Sequence, residues 1–421
     1  MKAFILDRYG SADGVRAGEM PDPHLQENDV LVQIHAAGVN LLDSKIRNGE
    51  FKSFLRYRLP IILGHDVAGV VVGVGSRVRR FKPGDEVYAR PADGRIGGFA
   101  EFIAITEDDV AIKPKALTME EAASIPLVGL TGWQALIERA NLKRGQSVLI
   151  HAGSGGVGTF AIQLAKHAGA TVATTTSAVN AGLVRSLGAD VVIDYHKDDF
   201  AQVLRDYDVV LQSVDKVTLE KSLRVLKPGG QLISVSGPPD AAFARTIGAP
   251  WILRMVMGAL SYGIKTKARR RQVNYSFLFM RANGRQLTEI TSLIDDGIIR
   301  PVVDRVFPFA STKEAMTYVE AGRAKGKVVV SLKRNARVHL RGFAASAGSH
   351  PMAGLWRAVL VPKRLTELVL ATKSLCSPML LNPPESTSVL EKFWRRVFRG
   401  DQRGPQVTKA GAQLSRQETG A

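Results

Sequence analysis

The sequence predicts an α/β protein: a small, mostly antiparallel barrel joined to a doubly wound parallel sheet, followed by a low-order basic tail. Three observations carry this expectation. Residues 1 to about 120 hold β-type runs cut by Gly, Pro and Asp, with no dominant helical period. From about residue 145 onward, short apolar strands alternate with helical stretches. Between the first of those strands and its helix lies the glycine run GSGGVG, Gly153 to Gly158.

A chain of 421 residues is long enough for two or three domains, and 45% hydrophobic residues suffice for their cores. The single cysteine, Cys376, excludes an intramolecular disulfide framework and a multi-cysteine zinc lobe, and it fits a reducing compartment. The apolar stretch near the N-terminus is too short for a signal peptide and is broken by Asp7. The longest apolar candidate, 249–264, is interrupted by Arg254, so no run reaches the roughly 18 residues of a membrane span. The expected setting is cytoplasmic.

Net charge is +18, unevenly placed. Residues 335–421 hold 13 of the 57 basic residues and 5 of the 39 acidic ones. Between Ala241 and Leu287 stand nine basic residues, including Arg269-Arg270-Arg271, and no acidic one. Such a run is either an anion-binding surface or the solvated face of an insertion.

In chain order, Val30–Ile34, Val67–Val74 and Phe102–Ile105 read as barrel strands, with Lys82-Pro83-Gly84-Asp85 as turn punctuation. Strands of a parallel sheet are expected at 147–151, 171–175, 191–194, 209–212 and 231–236, with helices as right-handed crossovers. Pro238-Pro239 closes that run. In the basic segment, Trp251, Ile252, Met255, Val256 and Leu260 recur at helical spacing. Strand character returns at 275–280, helix at 284–294, and strand near 301–307 and 327–332. The expected division is barrel over 1–120, nucleotide domain over 121–280 with an insertion at 241–271, return to the barrel over 281–334, and tail over 335–421. Within the tail, short helices are expected near 366–374 and 390–398.

The glycine run has the context that a dinucleotide site requires. It follows Val148-Leu149-Ile150 and opens a helix with Val157, Ala161, Leu164, Ala165 and Ala168 on one side. Glycines let the backbone approach a pyrophosphate, and the helix N-terminus offers it free N–H donors. About 20 residues past the glycines, an NAD-binding strand ends on an acid that binds the ribose 2′-OH. Here Ala173 to Asn180 reads ATTTSAVN, rich in hydroxyls and free of acids, which predicts NADPH.

Six segments in order carry a family resemblance: AAGVNLLDSKIRNG (36–49), LGHDVAGVVVGVGSRVRRFKPGDEVYA (63–89), GGFAEF (97–102), IPLVGLTGWQAL (125–136), VLIHAGSGGVGTFAIQLAK (148–166) and LGADVVIDY (187–195). The chain up to residue 334 resembles the medium-chain dehydrogenase/reductase superfamily, in its zinc-free quinone oxidoreductase and alkenal/enone reductase branch. That resemblance implies a GroES-like barrel split around a Rossmann domain, with the cofactor in the cleft between them. It also implies a homodimer.

Zinc-using relatives place a Cys where this chain has Asn40, a His at His65, and a third ligand where Leu127 stands. One imidazole is not a zinc site, even with Asp66 beside it, so no metal is expected. His65 reads instead as a structural hydrogen-bonding residue. Without a Lewis acid to polarise an alkoxide, direct alcohol oxidation is disfavoured.

The resemblance places the pyrophosphate on Gly153, Ser154, Gly155, Gly156, Val157 and Gly158. It places the 2′-phosphate near Ser177, Asn180 and Tyr195, with Arg323 of GRAKGK. Many relatives carry Lys where Asn180 stands. The plainer roles are a helix N-cap for Ser177 and a strand-end core residue for Tyr195. Asn40, Asp43 and Thr131 are the candidate catalytic residues. Asn40 could hydrogen-bond a substrate carbonyl. Asp43 could cap a helix and orient neighbours. Thr131 could bond the ribose or carboxamide, or be a buried helix residue. Arg47 reads as exposed or ion-paired. Ser236, Gly237, Phe277 and Phe279 fall where the family lines the nicotinamide, although both phenylalanines suit a strand core.

The implied reaction is hydride transfer from NADPH to a quinone or an α,β-unsaturated carbonyl compound, with positioning and desolvation as the protein's contribution. Enoyl-thioester reduction is the alternative within the enzyme class. A non-catalytic NADPH-binding or RNA-binding protein is the alternative outside it. Few aromatics interleave with Arg269-Arg270-Arg271, so no specific nucleic-acid partner is expected. The apolar cluster beside those arginines also fits a membrane-surface contact through 250–271, against a channel lid or dimer contact.

Overall fold

The computed structural model describes residues 1–10, 14–52, 55 and 57–332. The tail, with the helices expected near 366–374 and 390–398, lies outside the described residues.

The barrel is organised on one long strand. β1 (Lys2–Leu6) and β2 (Val15–Glu19) form a hairpin-like pair that precedes β3 (Asp29–Val39), the eleven-residue hub. Helix α1 (Leu41–Arg47) leads to β4 (Ile61–Ile62), β5 (Asp66–Val74), β6 (Glu86–Ala89), β7 (Phe102–Thr106) and β8 (Val110–Ile112). β3 pairs antiparallel with both β5 and β7, and β1 joins β2 and β4 in a separate small sheet. Val32, Val67, Val87, Ile105 and Val330 meet inside. Each such aliphatic chain contributes about 1.5–3 kcal/mol when fully buried.

Two short helices, α2 (Met119–Ala123) and α3 (Pro126–Trp133), carry the chain across. The parallel sheet follows, with β9 (Ser147–Ile150), β10 (Thr171–Thr176), β11 (Val191–Asp194), β12 (Tyr207–Gln212), β13 (Leu226–Ser234) and β14 (Asn274–Phe277). Their order is β11-β10-β9-β12-β13-β14, with every neighbouring pair parallel. This is the doubly wound arrangement, whose ligand crevice lies at the C-terminal ends of β9 and β12, where the winding reverses. The crossovers are α4 (Gly156–His167), α5 (Ala181–Ser186), α6 (Phe200–Val203), α7 (Lys216–Ser222), α8 (Ala241–Thr246) and α9 (Trp251–Arg270). Val148, Leu149 and Ile150 are fully buried, as a strand covered on both faces requires.

After α10 (Gly284–Asp295), the chain forms β15 (Val303–Pro308), α11 (Thr312–Glu320) and β16 (Lys327–Ser331). β16 pairs antiparallel with β3, matching Val328 to Val39, so the last described strand lies in the barrel sheet.

The differences from the sequence expectation are local. β13 begins at Leu226, ahead of the expected Gln231, with a register shift across the Lys227–Gly230 turn residues. β14 stops at Phe277 rather than 280. α9 buries Met257, Ser261, Ile264 and Ala268, whereas Trp251, Ile252, Met255 and Val256 face outward. The helical spacing is as expected, but the apolar residues that revealed it are on the solvent side.

Candidate active site and nucleotide cleft

The glycine turn lies at the switch point. A Cβ on Gly153 would collide with Thr174 Oγ1 of β10, and one on Gly158 with the Ala152 carbonyl and Gly153 Cα. Those two glycines let α4 pack tightly onto its sheet. Gly155 is the N-cap of α4 and no side chain caps that first turn, so the helix presents backbone donors there. Gly156 and Val157 form this first turn. α4 ends where Gly169, at φ +79°, takes the left-handed conformation. The turn is also held from the barrel side. Gly326 N donates to Ser154 O at 2.7 Å, and Gly155 and Gly326 form a parallel bridge. An uncapped twelve-residue helix behind a glycine turn fits a pyrophosphate.

At the end of β10, Thr176 Oγ1 donates to Ser154 Oγ at 2.9 Å. Asn180 Nδ2 donates to Ser154 Oγ and Ser177 Oγ, each at 3.2 Å. Asn180 Oδ1 is buried without a partner among the described residues. Ser177 occupies an N-cap position, but its hydroxyl makes no capping bond. Tyr195 is 58% exposed, so it is not a strand-end core residue. Its amide donates to Thr176 O, which sets it beside Ser177, and its ring lies 4.2 Å from that of His196. Arg323 is exposed, three residues before Gly326. Hydroxyls, an amide and a phenol gather here, and the adjoining carboxylate, Asp194, is engaged by the His196 N–H at 3.2 Å, an arrangement that fits a 2′-phosphate.

The barrel wall of the cleft is a buried polar cluster. Asn40, Asp43, His65, Asp66 and Lys327 are all withdrawn from solvent. Asp66 Oδ1 accepts the Leu127 N–H at 2.7 Å, at the start of α3. Asp66 Oδ2 accepts Asn40 Nδ2 at 2.9 Å and Lys327 Nζ at 3.2 Å. Lys327 Nζ also donates to Asn40 Oδ1 at 2.5 Å and to Val39 O at 3.1 Å. Both ends of the Asn40 amide are therefore occupied. The expectation that it offers itself to a substrate carbonyl meets a side chain already committed to an ammonium and a carboxylate.

Asp43 Oδ2 accepts the Asn40 N–H at 2.8 Å at the start of α1, and its Oδ1 lies 2.5 Å from His65 Nδ1. His65 Nε2 is buried with no partner among the described residues. The Tyr57 hydroxyl is likewise unpartnered. Burial pushes that phenol's pKa up, with the Asp43 charge among the smaller contributions, so it stays protonated. Thr131 is a buried helix residue whose hydroxyl donates to Leu127 O at 2.7 Å. Arg47 is ion-paired with Glu320 at 2.8 Å.

On the sheet side, the Ser236 and Gly237 amides both turn inward to Ser234 Oγ, and Ser236 Oγ donates to Gln212 Oε1. Phe277 is strand core, and its carbonyl accepts from Arg139. Phe279 meets Phe51 of the barrel edge-on, at 5.9 Å between ring centroids, so this pair spans the cleft. No sequence motif marks Phe51 as a cleft residue. The GK pair before a β-branched run was the available signal for Lys327.

Among the described residues, no group of three or more His, Cys, Asp or Glu side chains is placed to hold a metal. Where zinc-using relatives carry ligands, this chain offers an amide, one imidazole and a leucine.

A barrel clasped to a doubly wound sheet, with a glycine turn at the switch point, defines the two-domain nucleotide-dependent dehydrogenases and reductases. Residues 26–115 match the alcohol dehydrogenase GroES-like domain, and residues 187–330 match the zinc-binding dehydrogenase family. The chain is 37% identical over 357 residues to the mitochondrial NAD(P)H oxidoreductase RTN4IP1 of Danio rerio, covering 79% of this chain and 91% of the relative. It is 36% identical to the chloroplastic NADPH-dependent alkenal/one oxidoreductase of Arabidopsis thaliana, covering 78% and 79%. Among solved structures, the quinone oxidoreductase of Coxiella burnetii superposes with a TM-score of 0.68 at 31% identity, covering 79% and 99%. A mycobacterial protein solved with NADPH gives 0.67 at 28%, covering 79% and 100%. The chain belongs to the medium-chain dehydrogenase/reductase superfamily, in its quinone oxidoreductase and enone reductase branch.

Proposed function

We propose that this chain is an NADPH-dependent, zinc-independent reductase of quinones or α,β-unsaturated carbonyl compounds. The observation that carries this reading is the Asn40–Asp66–Lys327 cluster, which commits the barrel wall to an organic ion pair instead of a Lewis-acid centre. The nicotinamide, when bound, supplies a hydride. The chain's residues do the rest. The glycine turn and the first turn of α4 would hold the pyrophosphate at Gly153, Ser154, Gly155, Gly156, Val157 and Gly158. Ser177, Asn180, Tyr195 and Arg323 hold the 2′-phosphate. Phe51 and Phe279 keep water from the cleft. Ser236 and Gly237, whose amides are engaged by Ser234 Oγ, would border the nicotinamide. Phe277 supports them from the strand. Thr131 supports α3 against the ribose. Asp43 accepts the proton on His65 Nδ1 and so fixes the imidazole, which leaves the buried Tyr57 hydroxyl as the donor that can meet a substrate oxygen.

Steady-state NADPH oxidation against a panel of quinones, enones and enoyl thioesters tests this reading. Turnover with quinones or enones supports it. Turnover confined to thioesters favours the enoyl-thioester alternative, and none with any acceptor favours a binding protein. A homodimer through β14, the edge strand of the parallel sheet among the described residues, is part of the proposal and is read by sedimentation velocity. A cytoplasmic setting is also proposed. Two of the relatives are named as mitochondrial and chloroplastic, so imaging a fluorescent fusion decides the compartment.

A further inference from the structure

α9 is a twenty-residue helix with two different faces. Met257, Ser261, Ile264 and Ala268 are buried on one stripe. The opposite face exposes Trp251 at 68%, Ile252 at 58%, Met255 at 66% and Tyr262 at 64%, with Val256 beside them. By helical spacing, Arg269 and Arg270 of the last turn continue this exposed face, while Lys267 falls at its edge in line with Val256. Arg254, the one cation in the apolar half, turns its Nε to Ala249 O at 2.6 Å.

The cationic end of α9 borders a groove of ≈ 970 Å³ shared with α7. Lys216, Lys221, Arg224, Lys267, Arg270 and Arg271 line it with a single carboxylate, Glu220. Glu220 is held by Lys267 at 2.7 Å, and Lys221 by Asp199 at 2.9 Å. Lys216, Arg224, Arg270 and Arg271 have no ion-pair partner among the described residues. A second copy of this surface would bring the same charge, because 241–287 contains no acid to complement it.

We propose that α9 docks the protein onto an anionic phospholipid surface. Trp251, Ile252, Met255 and Tyr262 enter the boundary between headgroups and acyl chains, and the α7–α9 groove takes the lipid phosphates. An apolar face continued by cations is the arrangement of an interfacial helix, and aromatic residues favour that boundary. The underside of α9 supports this geometry: Met257 packs with Phe243 and Phe277, beside Phe279 at the cleft. A bound lipid surface therefore lies next to the Phe51–Phe279 contact. The docking does not depend on which acceptor the cleft reduces.

Co-sedimentation of the full chain with vesicles tests it. Equal parts phosphatidylcholine and phosphatidylserine should pellet the protein, phosphatidylcholine alone should bind at least about tenfold more weakly, and added salt should release it. Trp251→Glu/Met255→Glu and Arg270→Glu/Arg271→Glu should each weaken vesicle binding by about tenfold or more. Turnover with a water-soluble acceptor should stay unchanged in both. The basic residues beyond 334 are common to all these proteins, so the differences report α9. Pelleting that is absent, or equal in wild type and variants, overturns the proposal. So does a concentration-dependent dimer lost in Trp251→Glu/Met255→Glu without vesicle binding, or RNA binding that takes its place.

Discussion

Lys327 Nζ lies 3.2 Å from Asp66 Oδ2, with the two side chains 6% and 0% exposed, and this pair ties the last barrel strand to the start of α3. Removing one partner of a buried pair strands the other charge, at a cost of about 3–5 kcal/mol. Lys327→Met should therefore lower Tm by roughly 4–7 °C. The double variant Asp66→Asn/Lys327→Met should recover part of that loss. Thermal unfolding of the three proteins checks both statements. A double variant no more stable than the single would show that the charge pair is not the source of the loss.

Cofactor preference should follow the end of β10. Ser177→Asp puts a carboxylate beside Asn180 and Tyr195, and should raise KM for NADPH by about tenfold or more while sparing NADH. Asn180→Lys should lower KM for NADPH. Parallel kinetics with both cofactors decide this. Wild-type turnover with NADH equal to that with NADPH would remove the basis for assigning Ser177 and Tyr195.

A third prediction concerns acid stability. His151 is buried, bonded to Thr175 Oγ1 and Ser222 Oγ, with its ring 4.7 Å from that of Phe200. Desolvation holds its imidazole down at about 4. Between about pH 6.5 and 4 the unfolded chain takes up a proton at this position and the folded chain does not. Stability therefore falls as pH falls through that window, by up to about 3 kcal/mol, and this contribution levels off below it. Urea unfolding at pH 7 and pH 4.5 measures the slope, and His151→Gln should flatten it.

Metal chelation gives a fourth prediction. Dialysis against EDTA should leave NADPH oxidation unchanged, and added zinc should not raise it. A fall in turnover that zinc restores would contradict the committed state of Asn40, Asp66 and Lys327.

The sequence made much of this legible. Val148 to Ile150, the glycines and the alternation that follows located the sheet and its switch point, because backbone constraints there are local. Asp43 was recognisable for the same reason, three residues from the amide it accepts. Asn40 was harder. Its partner Lys327 is 287 residues away, joined only through the pairing of β16 with β3. α9 was ambiguous for a different reason. Periodicity shows which residues share a face, but both faces of this helix carry apolar side chains, and only packing decided that the smaller set went inside.

The pairing of β16 with β3, and of Gly326 with Gly155, has a consequence for how the chain is made. Asn40, Asp66 and the glycine turn are all synthesised well before Lys327. Until β16 emerges from the ribosome, the nascent protein has most of a barrel, all of its parallel sheet and an Asp66 with no counter-charge. The nucleotide turn is then missing the strand that braces it. Completion of the cleft waits for the last of the described strands, and chains halted just short of residue 327 should accumulate as open, protease-sensitive forms.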